Sequence, residues 1–222
     1  PFQSSLGLVF SYNFLLMLAY ALAGFGAYLL AYYFTKNALS SYLSGFIFTF
    51  SPYHLSHTLG HLNLVSIEGI PFYALFLFRF MDMGRYRYAI YASLSLLITA
   101  FIGDINLAFI LFVFTLILLV YEIFFERRLM RDRRFIIGFT MIASAFLAVA
   151  GVILIPLMMG LFRGDYSYLY PSVSDIMTYS GDLAALFTPN SYNYFFGSYT
   201  KNIALWEPTE VGGVFIGYTV LA

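Results

Sequence analysis

The sequence predicts an all-α protein: a polytopic bundle of transmembrane helices with about six complete or partial spans, a truncated seventh and a long external loop. Composition is the first reason, since hydrophobic residues make up 61% of the 222 residues and charged residues only 10%. The mean hydropathy of +0.82 agrees. Soluble domains carry about 25% charged residues, so most of this surface must face lipid. Several apolar runs also reach the roughly 20 residues that cross a bilayer as a helix.

Six apolar segments make up the predicted spans. They cover residues 6–34, 38–50, 62–80, 86–102, 105–125 and 135–162, and a seventh begins near residue 213. The first contains AGFGAYLL, whose small residues favour close helix packing. The second is about 20 Å long at 1.5 Å per residue, too short for a hydrocarbon core of about 30 Å. It is therefore predicted to be tilted or re-entrant, or to continue through residues 51–57.

The domain organisation follows from these segments. Residues 1–162 form the predicted transmembrane helical domain, and residues 163–212 form an extracytoplasmic loop that is too polar to span. A short amphipathic helix is expected within that loop, over residues 175–187. Residues 213–222 begin a further, truncated transmembrane helix. Because the chain starts at Pro1 and stops inside an apolar run, we expect an internal piece of a longer protein.

The basic residues predict the orientation of the spans. Nine of the eleven lie in the connections after spans one, three and five: Lys36, Arg79, Arg85, Arg87, Arg127, Arg128, Arg131, Arg133 and Arg134. The positive-inside rule then places loops 79–87 and 126–134 in the cytoplasm, for a multi-pass protein of the plasma membrane. Residues 51–61 and 163–212 are extracytoplasmic on this topology.

Composition also excludes several classes of function. A net charge of zero argues against a nucleic-acid partner. The absence of cysteine excludes disulfides and thiolate chemistry. No P-loop, dinucleotide-binding glycine motif or HExxH occurs, which argues against a cytoplasmic nucleotide enzyme. The expected partners are the lipid bilayer and, as an open alternative, other membrane proteins.

All three histidines lie in SPYHLSHTLGHLN, residues 51–63. His54, His57 and His61 are three and four residues apart, so they would share one face of a helix. Such a row could hold a divalent metal ion, with His57 and His61 as the candidate ligands, or bind a phosphate, or move protons near neutral pH. A structural role at the membrane interface stays open, because the proline and the glycine of this stretch would interrupt a helix.

Two carboxylates stand out. Glu68 lies six residues into the third span, where a charge costs roughly 2.5–3.5 kcal/mol, so it should face a cavity or a partner. The alternative is a protonated or hydrogen-bonded packing acid. Asp104, in IGDIN, could cap the fifth span. Alternatively, it is a second carboxylate beside Glu68 that helps to bind a sugar, a metal ion or a proton.

One stretch resembles a known group of proteins. It combines Phe50-Ser51-Pro52-Tyr53, His57, Gly60-His61-Leu62-Asn63 and Pro71, and the later runs GDINLAF and EPTEVGGVFIGYTVL follow in the same order of features. This FSPY…H…GHLN…P pattern resembles prokaryotic polytopic membrane proteins of the GT-C glycosyltransferase superfamily. The resemblance covers about two thirds of the chain.

The resemblance implies an integral membrane enzyme that transfers a sugar from a polyprenyl-phosphate donor at the outer face of the membrane. It places the catalytic acid in the first outward loop, a region that matches no residue of this chain, so the catalytic residue stays unassigned. The expected substrate-cavity residues are His54, His57, His61, Asn63, Glu68 and Asp104. Two alternatives stay open: a non-catalytic membrane subunit that braces a larger complex, and a transporter or flippase.

Overall fold

The computed structural model describes residues 7–58, 60–126 and 132–163, with the short pieces 172–173, 187–188 and 197–198. The described residues are helical and contain no β-strand. The helices are α1 (Leu8–Thr35), α2 (Ala38–Thr49), α3 (Pro52–His57), α4 (Leu62–Val65), α5 (Gly69–Met83), α6 (Tyr86–Phe101), α7 (Ile105–Tyr121) and α8 (Arg133–Arg163). A π-helical turn, Glu122–Glu126, extends α7.

The predicted all-α class is confirmed. Four segments are long and apolar enough to cross a membrane: Leu8–Thr35, Leu62–Met83, Ile105–Phe125 and Arg133–Arg163. They are consistent with a multi-pass membrane protein. Many large apolar side chains on them are exposed, as lipid contact requires; on α7, Phe109 is 55% exposed and Ile117 61%. The predicted helix over 175–187, the seventh span and most of the 163–212 loop lie outside the described residues.

The third predicted span is interrupted. We expected one helix over residues 62–80, but α4 ends at Val65 and α5 begins at Gly69. Pro71 explains the break. In a continuous helix its ring would collide with the Ile67 carbonyl group, and it has no N–H to donate there. In the first turn of a new helix neither problem arises, so the chain restarts at Gly69.

The second predicted segment also ends early. Helix α2 has 12 residues and stops at Thr49. Helix α3 starts separately at Pro52, after Ser51 in an extended conformation. Of the alternatives for this segment, a continuous helix from residue 38 through residue 57 is therefore wrong, because a proline fits the first turn of a helix but not its interior.

The chain divides into two compact units, Pro1–Thr49 with Leu62–Pro156, and Phe50–His61 with Leu157–Ala222. The first unit has a core built by α5, α6, α7 and α8. Its fully buried side chains include Tyr73, Leu77, Phe80, Leu96 and Ile142. The described residues of the second unit include α3 and the histidines His54, His57 and His61, of which the last lies beyond the end of that helix.

Helices α1 and α2 approach each other through small residues. A Cβ atom at Gly45 would lie 2.7 Å from the Gly24 carbonyl oxygen, and one at Gly26 would lie 2.9 Å from the Pro71 Cγ. The close packing predicted for AGFGAYLL is thus confirmed, and it brings α1 against both α2 and α5.

Candidate functional site

A cavity of about 330 Å³ lies within the first unit, between α1, the α4–α5 break and α6. This volume is at the small end of the roughly 300–1,000 Å³ that ligand pockets occupy. Three of its lining residues are polar: Ser66, Glu68 and Ser95. The others are apolar or glycine: Leu15, Leu18, Ala19, Leu22, Leu62, Gly69, Phe72, Ile98 and Ile102. The cavity therefore has apolar walls and a small polar patch.

Glu68 is placed by the helix break, directly before the first residue of α5. Its Oε2 atom is buried and has no hydrogen-bond partner among the described residues. Leaving a buried acceptor unsatisfied costs roughly 1–3 kcal/mol, and more for a charged group. Carboxylates at bilayer depth usually face a cavity or a partner group, and Glu68 lines this cavity.

Close packing of α5 on α6 fixes this carboxylate. Gly69 follows it, and a Cβ atom there would lie 3.0 Å from the Ser95 carbonyl oxygen and 3.2 Å from the Thr99 Cβ. A larger residue at position 69 would push α5 away from α6. Glycine thus lets the broken helix settle against α6, with Glu68 at the cavity wall.

The two serines of the polar patch offer lone pairs rather than protons. Ser66 Oγ donates to the Leu62 carbonyl oxygen at 2.9 Å, and Ser95 Oγ donates to the Tyr91 carbonyl oxygen at 2.9 Å. Each hydroxyl has only one proton to give, so both oxygens can only accept toward the cavity. Together with Glu68 they form a patch of acceptors, which suits a ligand that donates hydrogen bonds: a hydroxyl, an ammonium group or a proton.

Asp104 has a structural role. Its side chain accepts from the Asn106 backbone N–H at 2.7 Å and caps α7, so the N-cap alternative is confirmed. It is not among the residues that line the cavity. Its neighbour Gly103 does contact the break, because a Cβ atom there would lie 2.7 Å from the carbonyl oxygens of Ser66 and Thr99. Asn63 is exposed on α4 and also lies outside the lining.

The histidines lie in the second unit. His54 and His57 are buried in α3, which Ser51 caps by accepting from the His54 backbone N–H at 3.4 Å. His61 follows the end of that helix and is half-buried. The alternative of one helical row of three histidines is therefore wrong, and the expected interruption of the helix is present: only two histidines share a helix, because α3 ends at His57.

The His57 ring is held in one orientation. Its Nδ1 donates to the Tyr53 carbonyl oxygen at 2.8 Å, and the two rings lie 4.3 Å apart between centroids. This bond leaves Nε2 as the acceptor of the neutral ring, the arrangement that metal-binding histidines also use. Within the described ranges, however, no group of three or more histidine, aspartate or glutamate side chains could hold a metal ion.

Some of the cavity could not be identified from sequence. Ser66 and Ser95 are single serines in apolar helices, a pattern typical of ordinary helix packing. The residues of α1 that line the cavity are apolar, so nothing in their sequence distinguishes them from residues that face lipid. The one usable signal was Glu68, a carboxylate inside an apolar span, and it lies at the polar patch.

Comparison with known proteins gives a family but no activity. Neither a search of curated proteins nor a search of solved structures returned a match. A family model, described as a domain of unknown function (DUF6311), matches residues 1–222. That description names no reaction or ligand, so the GT-C resemblance stays a prediction. The match covers the chain from end to end, and the protein therefore belongs to the DUF6311 family.

Proposed function

We propose that this chain is part of an integral membrane glycosyltransferase that transfers a sugar from a polyprenyl-phosphate donor at the outer face of the membrane. The observation that carries the proposal is the cavity, which combines apolar walls with one buried carboxylate oxygen that has no partner among the described residues. A lipid-linked sugar has the matching chemistry, since an isoprenoid chain is apolar and a sugar is rich in hydroxyl donors.

The roles of the lining residues follow from their chemistry. The leucines of α1 and Phe72 of α5 would contact the isoprenoid chain. Glu68, Ser66 and Ser95 would accept hydrogen bonds from hydroxyl groups of the sugar or of the acceptor. Glu68 would not contact the phosphate, because two negative groups repel each other in a site of low dielectric.

Glycosyl transfer also needs groups that this cavity lacks. The acceptor hydroxyl attacks the anomeric carbon, the bond from that carbon to the phosphate oxygen breaks, and the departing phosphate must be stabilised. The basic side chains that the sequence offers for this role are His54, His57, His61 and Arg163 of the second unit, and the proposal places none of them in the cavity. A divalent metal ion bound elsewhere in the full-length protein is the alternative.

The orientation of the chain is part of the proposal. Arginine-rich loops 79–87 and 126–134 would face the cytoplasm, and residues 51–61 and 163–212 the exterior. The link at residues 103–106 would then be extracytoplasmic. Since Gly103 in that link contacts the helix break, the cavity would lie near the outer face.

Transfer from a labelled donor tests the enzyme. The full-length protein is incubated with labelled polyprenyl-phosphate sugars, and both transfer and hydrolysis are measured. Glu68→Gln keeps the size of the side chain but removes its charge, so the rate should fall by at least about tenfold, the value of one hydrogen bond to a charged group. Asp104→Asn is the matched control, because asparagine also caps helices and position 104 does not line the cavity.

The outcomes separate the alternatives. Absence of transfer and of hydrolysis with every donor would reject the enzyme in favour of a non-catalytic subunit, which should then purify with stoichiometric partners. Equal rates for both variants would remove Glu68 from the site. His57→Ala and His61→Ala should lower turnover without loss of expression if these histidines act on the phosphate, and an unchanged rate would return them to a structural role.

A second candidate is a transporter or flippase for the same class of lipid. The interruption between Val65 and Gly69 favours it, because transporters often place a discontinuous helix and a polar group at their binding site. Reconstituted vesicles distinguish the two functions. A flippase moves labelled lipid between leaflets without breaking its sugar–phosphate bond, whereas the transferase consumes the donor.

A further inference from the structure

A second group of charged residues lies at the other end of α5, away from Glu68. Lys36 follows the last residue of α1, Arg79 lies near the end of α5, and Arg87 lies in the first turn of α6. Tyr33 and Tyr88 lie between these cations. We propose that this cation–tyrosine row, Lys36–Tyr33–Arg79–Tyr88–Arg87, binds the phosphate headgroup of an anionic phospholipid.

Two shared rings hold the three cations in sequence. The Lys36 Nζ lies 5.0 Å from the centre of the Tyr33 ring, and the Arg79 Cζ lies 5.8 Å from the same ring. The Arg79 Cζ is also 5.9 Å from the Tyr88 ring, with the Arg87 Cζ at 4.8 Å. Arg87 Nη2 further donates to the Tyr88 hydroxyl at 3.0 Å. Cation–π attraction therefore gathers three positive charges from three helices.

The row carries more positive than negative charge. The carboxylate that touches it is Asp82, which accepts a hydrogen bond from the Tyr33 hydroxyl. Within the described part of the chain, none of the three cations makes an ion pair with a carboxylate. Arg85, exposed between α5 and α6, adds a further positive charge. Like charges held this close together repel one another, and a bound anion relieves the repulsion.

Phosphate is the anion that fits best. A guanidinium group presents parallel N–H donors that match two phosphate oxygens, and an ammonium group adds a compact charge. The three cations lie over the tyrosine rings. The side chains of Lys36 and Arg79 donate no hydrogen bond to the described residues, so their N–H groups are available to an anion. One phosphodiester between Arg79 and a neighbouring cation would use this arrangement.

The surroundings favour a lipid over free phosphate. The row lies where helices leave their apolar stretches, the level at which tyrosine and basic side chains meet headgroups. Exposed apolar side chains flank it, with Phe34 59%, Met83 48% and Tyr86 41% exposed. Acyl chains attached to the bound phosphate would find an apolar surface directly beside the site.

Lipid retention tests the site. The full-length protein is purified in detergent, mixed with phosphatidylglycerol or phosphatidylcholine, and examined by native mass spectrometry. Phosphatidylglycerol retention should fall about fivefold in Lys36→Gln and in Arg79→Gln, the factor that one basic group near an anionic surface supplies. Arg133→Gln is the matched control, since it removes the same charge from an exposed residue at the start of α8 that makes no described ring contact.

Each outcome decides the question. The site is supported if the first two variants lose retention, Arg133→Gln keeps it and excess inorganic phosphate does not displace the lipid. It is overturned if Arg133→Gln loses as much, if phosphatidylcholine is retained equally well, or if inorganic phosphate competes fully. If Arg79→Gln does not fold, Arg79→Lys replaces it in the test. Lysine keeps the positive charge but lacks the paired N–H donors of the guanidinium group, so phosphatidylglycerol retention should lie between that of wild type and that of Lys36→Gln.

Discussion

Replacement of Gly103 by alanine should destabilise the fold at the helix break. A Cβ atom there would lie 2.7 Å from the Ser66 carbonyl oxygen and 2.7 Å from the Thr99 carbonyl oxygen, whereas ordinary contacts begin at 3.4 Å. The shortfall is about 0.7 Å at two atoms, well inside the repulsive part of the contact potential. Both obstacles are backbone atoms, so no side-chain rotation can relieve the overlap.

The expected magnitude follows from this overlap. Overpacking a close-packed site costs roughly 1–3 kcal/mol. In domains of 150–250 residues each kcal/mol lowers Tm by about 2–4 °C, so Gly103→Ala should melt roughly 2–12 °C below wild type. The helical circular dichroism signal, followed on heating in one detergent, measures the difference.

Gly151 provides the control. An alanine Cβ there meets nothing closer than the Ile155 Cδ1 at 3.6 Å, an ordinary contact. Alanine also favours the helix over glycine by about 1 kcal/mol, so Gly151→Ala should hold or raise Tm. If Gly103→Ala has the same Tm as wild type, or if Gly103→Ala and Gly151→Ala lower Tm equally, the close packing of Gly103 against the helix break is refuted.

Three further predictions test the core and the site, and the same melting assay measures the stability of each variant. Thr115→Val should lower the free energy of unfolding by about 1–3 kcal/mol, because it leaves the buried Tyr73 hydroxyl without its partner. Tyr73→Phe should lower it by only about 0.5–1.5 kcal/mol, and a larger loss for Tyr73→Phe than for Thr115→Val would contradict this pairing. Gly138→Ala places a Cβ 2.6 Å from the Phe80 Cε2, so combining it with Phe80→Leu should cost less than the sum of the two single changes by about 0.5–3 kcal/mol, and strict additivity would contradict the contact. Glu68→Leu should raise the free energy of unfolding by about 1–3 kcal/mol, since it removes a carboxylate oxygen that has no partner among the described residues. The same change should abolish the proposed sugar transfer. A lower free energy of unfolding would instead reveal a structural partner for Glu68.

The helices themselves were largely predictable. Long apolar runs gave the positions of α1, α6, α7 and α8 to within about two residues at most ends, the accuracy with which helix ends are defined. Of the two alternatives for Asp104, the helix cap was correct, whereas its place among the expected substrate-cavity residues was not, because Asp104 does not line the cavity. These features depend on local sequence, so composition and apolar runs were sufficient to predict them.

The helix break and the cavity depended on information that a hydropathy profile lacks. Apolar residues continue on both sides of Glu68, so the profile shows one span, although Pro71 excludes a continuous helix. Ser66 and Ser95 meet at the cavity only because α5 packs on α6 through Gly69. Such long-range contacts are set by tertiary packing. The histidine spacing was misleading for a related reason, since α3 ends before His61.

Helix α5 connects the cavity to the cation–tyrosine row through one continuous helix. It has 15 residues, with the cation–tyrosine row near its last turn and Glu68 directly before its first. At 1.5 Å per residue it is roughly 22 Å long, so a tilt of about 5° would displace one end by about 2 Å relative to the other. On these two proposals, a phospholipid that sets the angle of α5 at its basic end would also set the position of the Glu68 carboxylate in the cavity, so bilayer composition would tune the proposed sugar transfer.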